Sequence, residues 1–423
     1  MSPEKSFAVM WVVFFLHGMS PGMWLPAMTN ILGVRGLSAW VPLVFMVPPL
    51  CALVSPLIGS AMADQRIAAD RLFAWSVLSS AVVLALAFLA LDAGWHPWWF
   101  VIILGISSLL SGPSWSLLTT VALTQLSHGE RQFPLVRVGA TLGWIAGGLM
   151  TSLALGADTS PAAGYAAAAV KMIGGLAAFA LARTPPLGQP VKALWARLGF
   201  GAFGLLKQRD HCVFFVVTAM ISVPLTAFYM YAPEFLRVLG DTRPTATMTV
   251  AQVTEVACML VLGLLMTRYR VKTVLTWALA LAVARYAMSA ASGIDGRIGW
   301  HVAGIAMHGL CYTFYFITAQ VFLNRRVEAG MRTQAQGLLA MVASGLGPLA
   351  GAWICGWLRA ACVSENGEGW EIFWGILAAM NAVGTLVFIA LYRGQPVTVE
   401  DPGRGSAAGS DQLAGEPDGG DHR

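Results

Sequence analysis

Apolar runs recur along the chain at about 7–30, 38–62, 72–92, 97–124, 134–157, 162–182, 212–236, 246–267, 273–293, 298–323, 335–358 and 370–392, with polar segments between them. Each approaches the roughly 20 residues that an α-helix needs to cross about 30 Å of hydrocarbon. The pattern predicts an all-α membrane protein of twelve transmembrane helices. The first run starts at Phe7 and continues past Trp24. It lacks the short core and small-residue cleavage site of a signal peptide, so it reads as a retained span. The longest polar interruption lies between Arg183 and Arg209 and carries Pro185, Pro186, Lys192, Arg197 and Lys207. It divides the chain into a six-helix bundle over 1–183, a central loop over 184–211, a second six-helix bundle over 212–393 and a Gly-rich tail over 394–423 expected to be disordered.

A weak internal repeat supports two related halves. MADQRIAADRLFAW from Met62 follows the second run, and MTRYRVKTVLTW from Met266 follows the eighth; in both, an Arg and a β-branched residue come after the Met, and a Trp follows. Parallel six-span repeats hold a solute at the midplane between the halves. The basic residues sort by side as well. Arg66, Arg71, Arg131, the central loop, Arg268, Arg270, Lys272, Arg325, Arg326 and Arg332 fall on one side, and only the isolated Arg35, Arg237, Arg243, Arg297 and Arg359 on the other. Because Lys and Arg accumulate on cytoplasmic loops, both termini are expected inside a cytoplasmic (inner) membrane; outer membranes are spanned by barrels.

Composition narrows the function. Hydrophobic residues make up 57% and charged residues 11%, against roughly 25% charged in a soluble domain. A soluble enzyme is excluded. The net charge of +5 is spread thinly, without the basic patch of a nucleic-acid binder. Cys51, Cys212, Cys258, Cys311, Cys355 and Cys362 show neither CxxC spacing nor disulfide-scaffold density. With no P-loop, GxSxG elbow, HExxH or Cys/His metal spacing, no cofactor or metal is expected, and movement down or coupled to a gradient is favoured over ATP-driven transport.

Ionisable side chains inside spans are costly and mark functional candidates. They are Arg137, Glu255 and Arg285, then Lys171, His17, His301 and His308. Glu255 and Arg285 also admit a structural ion pair, as the lesser reading beside the functional one. In RVGATLGWIAGG, Gly139, Gly143 and Gly147 recur every fourth residue and favour close helix packing, while Arg137, Thr141 and Trp144 share a face. Gln252 and Glu255, on adjacent turns, suit a polyhydroxylated solute, since each bonds two hydroxyls. His301, His308, Tyr312 and Tyr315 form one stripe, which is either packing or a cavity wall. Pro21, Pro26, Pro42, Pro48, Pro49 and Pro56, with Gly112 and Pro113, suit kinked helices beside a wet cavity.

Longer stretches carry a resemblance: FPLVRVGATLGWI from Phe133, AQVTEV from Ala251, RYRVKTVLTWALALAVARYAM from Arg268, and HGLCYTFYFITAQVF from His308 with QAQGL after it. Together they resemble the nucleoside:proton symporter family of the major facilitator superfamily over almost the whole chain, including TPP and GAFGLLK near the centre. The resemblance implies a major facilitator fold and a nucleoside pocket of Arg137, Thr141, Trp144, Thr226, Tyr229, Gln252, Glu255, His308 and Tyr312. Arg137, Thr141, Gln252 and Glu255 match residue for residue. Trp144 and Tyr312 keep an aromatic ring where Phe is frequent, and Thr226, Tyr229 and His308 differ in type. Thr313 stands where the family commonly has Asp, Thr119 where Asn is usual and Ser60 where Gly is usual. With Asp absent at 313, the titratable candidates for proton coupling are Glu255 and His308.

The expected function is therefore alternating-access import of nucleosides by a monomer in the lipid bilayer, coupled to protons. Its alternatives are uniport or symport of another small polar solute such as a sugar, and a non-transporting receptor.

Overall fold

The computed structural model describes residues 3–55, 58–59, 62–63, 66–126, 129–186, 200–326, 335 and 338–394. Ser60, Arg332, residues 187–199 of the central loop and the tail from 395 onward lie outside the described residues. Twelve spanning segments follow in order: α1 (Ser6–Val34), α2 (Ser38–Ala52), α3 (Ala69–Asp92), α4 (Pro97–Ala122), α5 (Gly129–Leu149), α6 (Ala162–Ala180), α7 (Arg209–Val238), α8 (Pro244–Leu262), α9 (Val271–Asp295), α10 (Ile298–Gln320), α11 (Leu338–Cys362) and α12 (Trp370–Leu391). Ten of them are long and apolar enough to cross a membrane on those grounds alone. α2 is shorter, and α5 begins with Glu130 and Arg131.

Prolines and glycines interrupt the helices where the sequence places them. α1 breaks at residues 25–27, around Pro26, and α4 breaks at Gly112 and Pro113. Pro97 and Pro244 open helices, where their missing N–H costs nothing. Gly296, at φ 70°, ends α9 in the left-handed conformation that a Cβ disfavours. Midway along α10 the backbone widens into a π-helical stretch, Thr313–Ile317.

Helix pairing repeats between the halves. In the first half α1 packs on α5 and α6, α4 on α2 and α3, and α3 on α6; in the second, α7 packs on α11 and α12, α10 on α8 and α9, and α9 on α12. Shifting each number by six converts one set into the other, as the repeat at Met62 and Met266 anticipates. Contact between halves comes from α2 with α11, α5 with α8, and the end of α1 with α7.

Buried apolar side chains form three clusters. One joins both halves through Met28, Val44, Phe228, Phe235, Cys355 and Trp374, at the face away from the termini. The other two are confined to one half each, around Phe14, Phe73 and Val121, and around Phe214, Tyr315 and Phe388. The halves are thus sealed at one face and separately cored toward the other, where α1 begins and α12 ends.

The tightest crossing is α1 on α5. Gly143 lies against the Phe15 carbonyl and Gly147 against that of Met19, while Gly18 faces the carbonyl of Ala140 and Gly22 that of Trp144, so a Cβ on any of the four would strike main chain. The four-residue glycine spacing on α5 therefore serves packing, and α1 answers it with Gly18 and Gly22. Gly143→Val should destabilise the folded chain by about 2–3 kcal/mol or more, lowering the thermal unfolding midpoint in detergent. Gly375→Ala on α12, where a Cβ meets nothing within 4 Å, should leave it unchanged. Equal midpoints for both variants would contradict the proposed close crossing.

Candidate functional site

The sealed face is held by hydrogen bonds as well as by apolar packing. Asp158 Oδ1, from the first half, accepts from Ser152 Oγ at 2.8 Å and from the N–H of Thr245 at 2.8 Å, at the start of α8. Ser152 Oγ accepts in turn from the N–H of Ala246 at 2.8 Å. Nearby, Thr29 Oγ1 donates to the Met230 carbonyl and Asn30 Nδ2 to that of Pro233 at 3.2 Å. These bonds bridge α1 to α7, and the segment after α5 to the start of α8, just beyond the level of Trp144, Tyr229 and Gln252.

On the second-half wall the candidate residues are set by two close helix approaches. Gly304 lies against the Arg285 carbonyl and Gly309 against the Glu255 N–H and Thr254, which donates to the Ala306 carbonyl at 2.6 Å. α10 is thereby drawn against both α9 and α8. Arg285 Nη1 meets His308 Nδ1 at 2.8 Å, and His308 Nε2 meets Tyr229 Oη at 3.3 Å. The His308 ring stacks between Phe228 (4.6 Å between centroids) and Tyr312 (5.5 Å). Arg285 lies over the rings of Phe228 and Tyr286, at 4.3 and 4.6 Å. Glu255 is 9% exposed and joins none of the ion pairs among the described residues. The ion pair of Glu255 with Arg285 entertained from the sequence is thus not formed, because ring faces and His308 hold the guanidinium on α9.

The first-half wall contributes α5. The Arg137 guanidinium lies 4.4 Å from the centre of the Trp115 ring, whose neighbour on α1 is His17 at 4.5 Å. His17 Nε2 meets Ser114 Oγ at 3.1 Å. Trp144 meets Tyr229 across the halves, edge to face at 6.4 Å. Thr141 lies half-buried between Arg137 and Trp144 on the same helix face. Gln252 is 5% exposed, and its Oε1 has no partner among the described residues.

Four sequence candidates lie elsewhere. Thr226 packs against Gly351 of α11, and its hydroxyl donates to the Ser222 carbonyl at 2.9 Å, so it serves the contact of α7 with α11. His301 bonds Ser289 at 2.9 Å inside the aromatic cluster of Phe235 and Trp374. Tyr315 is turned inward to Thr218 at 2.9 Å, because the π-helical widening after Tyr312 shifts the register of the stripe. Lys171 donates to Ser80 at 2.6 Å within the first half.

A family model described as "Nucleoside H+ symporter" matches residues 4–396. The chain belongs to this family. Among its relatives, YegT of Escherichia coli (strain K12) is 29% identical over 92% of this chain and 94% of its own length. The nucleoside permease NupG of the same organism is 24% identical, covering 92% and 96%, and its xanthosine permease is 24% identical, covering 89% and 93%. The crystal structure of the nucleoside transporter NupG superposes with a TM-score of 0.80 at 22% identity, over 93% of this chain and all of that one (100%).

As a member of the nucleoside H+ symporter family, the chain is a multi-pass membrane transporter with the major facilitator fold, not an enzyme. Within the family pattern Thr313 is fully buried, its hydroxyl 3.5 Å from the Glu255 carbonyl. The position that resemblance gives to an Asp therefore adjoins the backbone of the remaining carboxylate. Trp115 and Phe228, which hold the two arginines, escaped notice in the sequence because an aromatic residue among apolar ones carries no pattern of its own. In Asp158→Ala, exchange of the amides over 245–248 should rise at least about tenfold, the scale of a lost charged hydrogen bond. Unchanged exchange would show that Asp158 does not hold the halves together at this face.

Proposed function

We propose that this chain imports nucleosides together with protons across the cytoplasmic membrane by alternating access, as a monomer whose two halves form one complete site. The observation that carries the reading is Glu255. It is a carboxylate on α8, the helix that meets α5 of the other half, without an ion-pair partner among the described residues, one turn from Gln252 with its unused acceptor and on the helix facing Arg137 and Trp144. Rings take the flat base, while the amide, carboxylate and guanidinium suit the ribose hydroxyls. The names of NupG and the xanthosine permease support the same substrate class.

The face carrying the termini is read as cytoplasmic. Six basic residues, Arg66, Arg71, Arg268, Arg270, Lys272 and Arg326, lie there, against the isolated Arg35, Arg297 and Arg359 at the other face; ion pairs occur at both, Arg71 with Asp70 and Arg326 with Asp210 on the one, Arg35 with Asp92, Arg297 with Asp295 and Arg359 with Glu234 on the other. The domain boundaries proposed are 1–183 and 212–393 around the central loop, matching the helix pairing. On this reading of the orientation, a sealed far face makes the state described an inward-facing one.

Coupling is assigned to Glu255 ahead of His308. A second proton on His308 would turn Nδ1 into a donor facing the Arg285 guanidinium, which only donates. Glu255→Gln keeps the shape but cannot titrate. In proteoliposomes it should abolish proton-driven accumulation of labelled uridine while uridine exchange persists. Retained accumulation would move the role to another group, with His308→Gln the next variant. Loss of titration at Thr313 favours the second reading, uniport, which gains if the unaltered chain only equilibrates uridine. Arg137→Ala and Gln252→Ala should each weaken uridine binding about tenfold or more; tight binding by both would remove these residues from the site.

A further inference from the structure

The three side chains Arg285, His308 and Tyr229 form a hydrogen-bonded line from the interior of the second half to the junction. Its polarity follows from its first member. A guanidinium has five N–H donors and no acceptor. The 2.8 Å contact with Arg285 Nη1 therefore makes His308 Nδ1 an acceptor, which places the ring proton on Nε2. Nε2–H then donates to Tyr229 Oη, at 3.3 Å, and fills its acceptor side. The tyrosine proton must point elsewhere, and among the described residues no second partner meets this hydroxyl. Stacking of His308 between Phe228 and Tyr312, with Arg285 caged by Phe228 and Tyr286, prevents the imidazole from turning over to reverse the order.

From this line we infer that Tyr229 presents a fixed hydrogen-bond donor to the substrate, and that the transporter selects nucleosides whose base carries an exocyclic oxo group over those with an exocyclic amine at the same position. The inference rests on the nucleoside reading above. Tyr229 belongs to the aromatic end of the site, touching Trp144 from the other half and His308 and Phe228 from its own. That is the end fitted to a flat base, and an exocyclic atom is the part of a base that projects furthest toward a hydroxyl at the edge of such rings. An oxo oxygen completes the line as its fourth member and third acceptor. An amino group sets donor against donor, and neither partner can reverse without breaking the contact of His308 with Arg285. Arg285 is a positioning residue here: it acts on the substrate only through the tautomer it imposes.

Uridine and cytidine share their ribose and ring size and differ at C4, oxo against amino, with the accompanying change at N3. Titration calorimetry on the purified full-length chain should give uridine an affinity about tenfold or more above that of cytidine, the scale on which a site punishes a mismatched polar group. In Tyr229→Phe the ratio should fall to about one. In Arg285→Ala, which frees His308 to adopt either tautomer, it should fall likewise. Arg285→Lys, which also only donates, should restore it, an outcome that a merely structural role for Arg285 would not require. Equal affinities in the unaltered chain, a preference for cytidine, or a ratio preserved in Tyr229→Phe would overturn the inference while leaving nucleoside transport standing. Binding of neither nucleoside by the unaltered chain would overturn the nucleoside reading and this inference with it. Should Arg285→Ala fail to fold, the Tyr229→Phe ratio decides alone.

Discussion

A charge inside hydrocarbon has no water to turn to, so the protein itself must compensate it. In this transporter the two arginines nearest the junction rest on aromatic rings within their own halves, Arg285 keeping one buried nitrogen, Nη2, without a hydrogen-bond partner among the described residues. Arg137 lies over Trp115, and Arg285 lies over Phe228 and Tyr286 while donating to His308. A cation over a ring gains about 2 kcal/mol when desolvated, and a bond to a neutral imidazole adds to that without using an acid. Glu255 is consequently left without an ion pair at the place where the halves meet. Had either arginine paired with it, the carboxylate would be locked and its proton affinity tied to one conformation. On the function proposed above, leaving it apart is what would let solute and proton act on it in turn as the halves rock.

The same economy governs packing. Helices approach closely where a glycine exposes main chain, and those approaches set the position of each functional side chain. Gly309 brings Glu255 beside α10, and Gly304 brings Arg285 within reach of His308. Gly143 and Gly18 press α5 onto α1, so that Arg137 and Trp144 project together from one wall. Asp158 and Ser152 then close the far face with main-chain bonds to α8, keeping the rings of Trp144 and Tyr229 in contact across the junction.

Much of this was legible in the sequence, and the reasons differ by residue. Ten of the twelve spans follow from apolar run length alone, since the bilayer fixes how long a helix must be, whereas α2 is short and α5 opens with charged residues. The two-fold plan showed faintly in the loops at Met62 and Met266 and is plain in the repeated helix pairing. Arg137 and Glu255 stood out because charge within a span is rare. What stayed hidden was direction. Thr226 shares its helix with Tyr229, yet the turn of α7 sends one hydroxyl to Ser222 and the other to His308. Tyr315 left the stripe of His308 and Tyr312 because a π-helical widening changed the period, and no residue in that stretch announces one. The aromatic cages of the two arginines were invisible for a related reason, as contacts between distant segments leave no local spacing to read.

The central claim is that an unpaired Glu255 couples nucleoside movement to protons despite Thr313. The most direct measurement is uptake of labelled uridine by proteoliposomes carrying the unaltered chain, with and without an imposed proton gradient directed with the flux. The account predicts accumulation above the external concentration under the gradient, collapsing to equilibrium when a protonophore is added. Uptake that stops at equilibrium and ignores the gradient would contradict it.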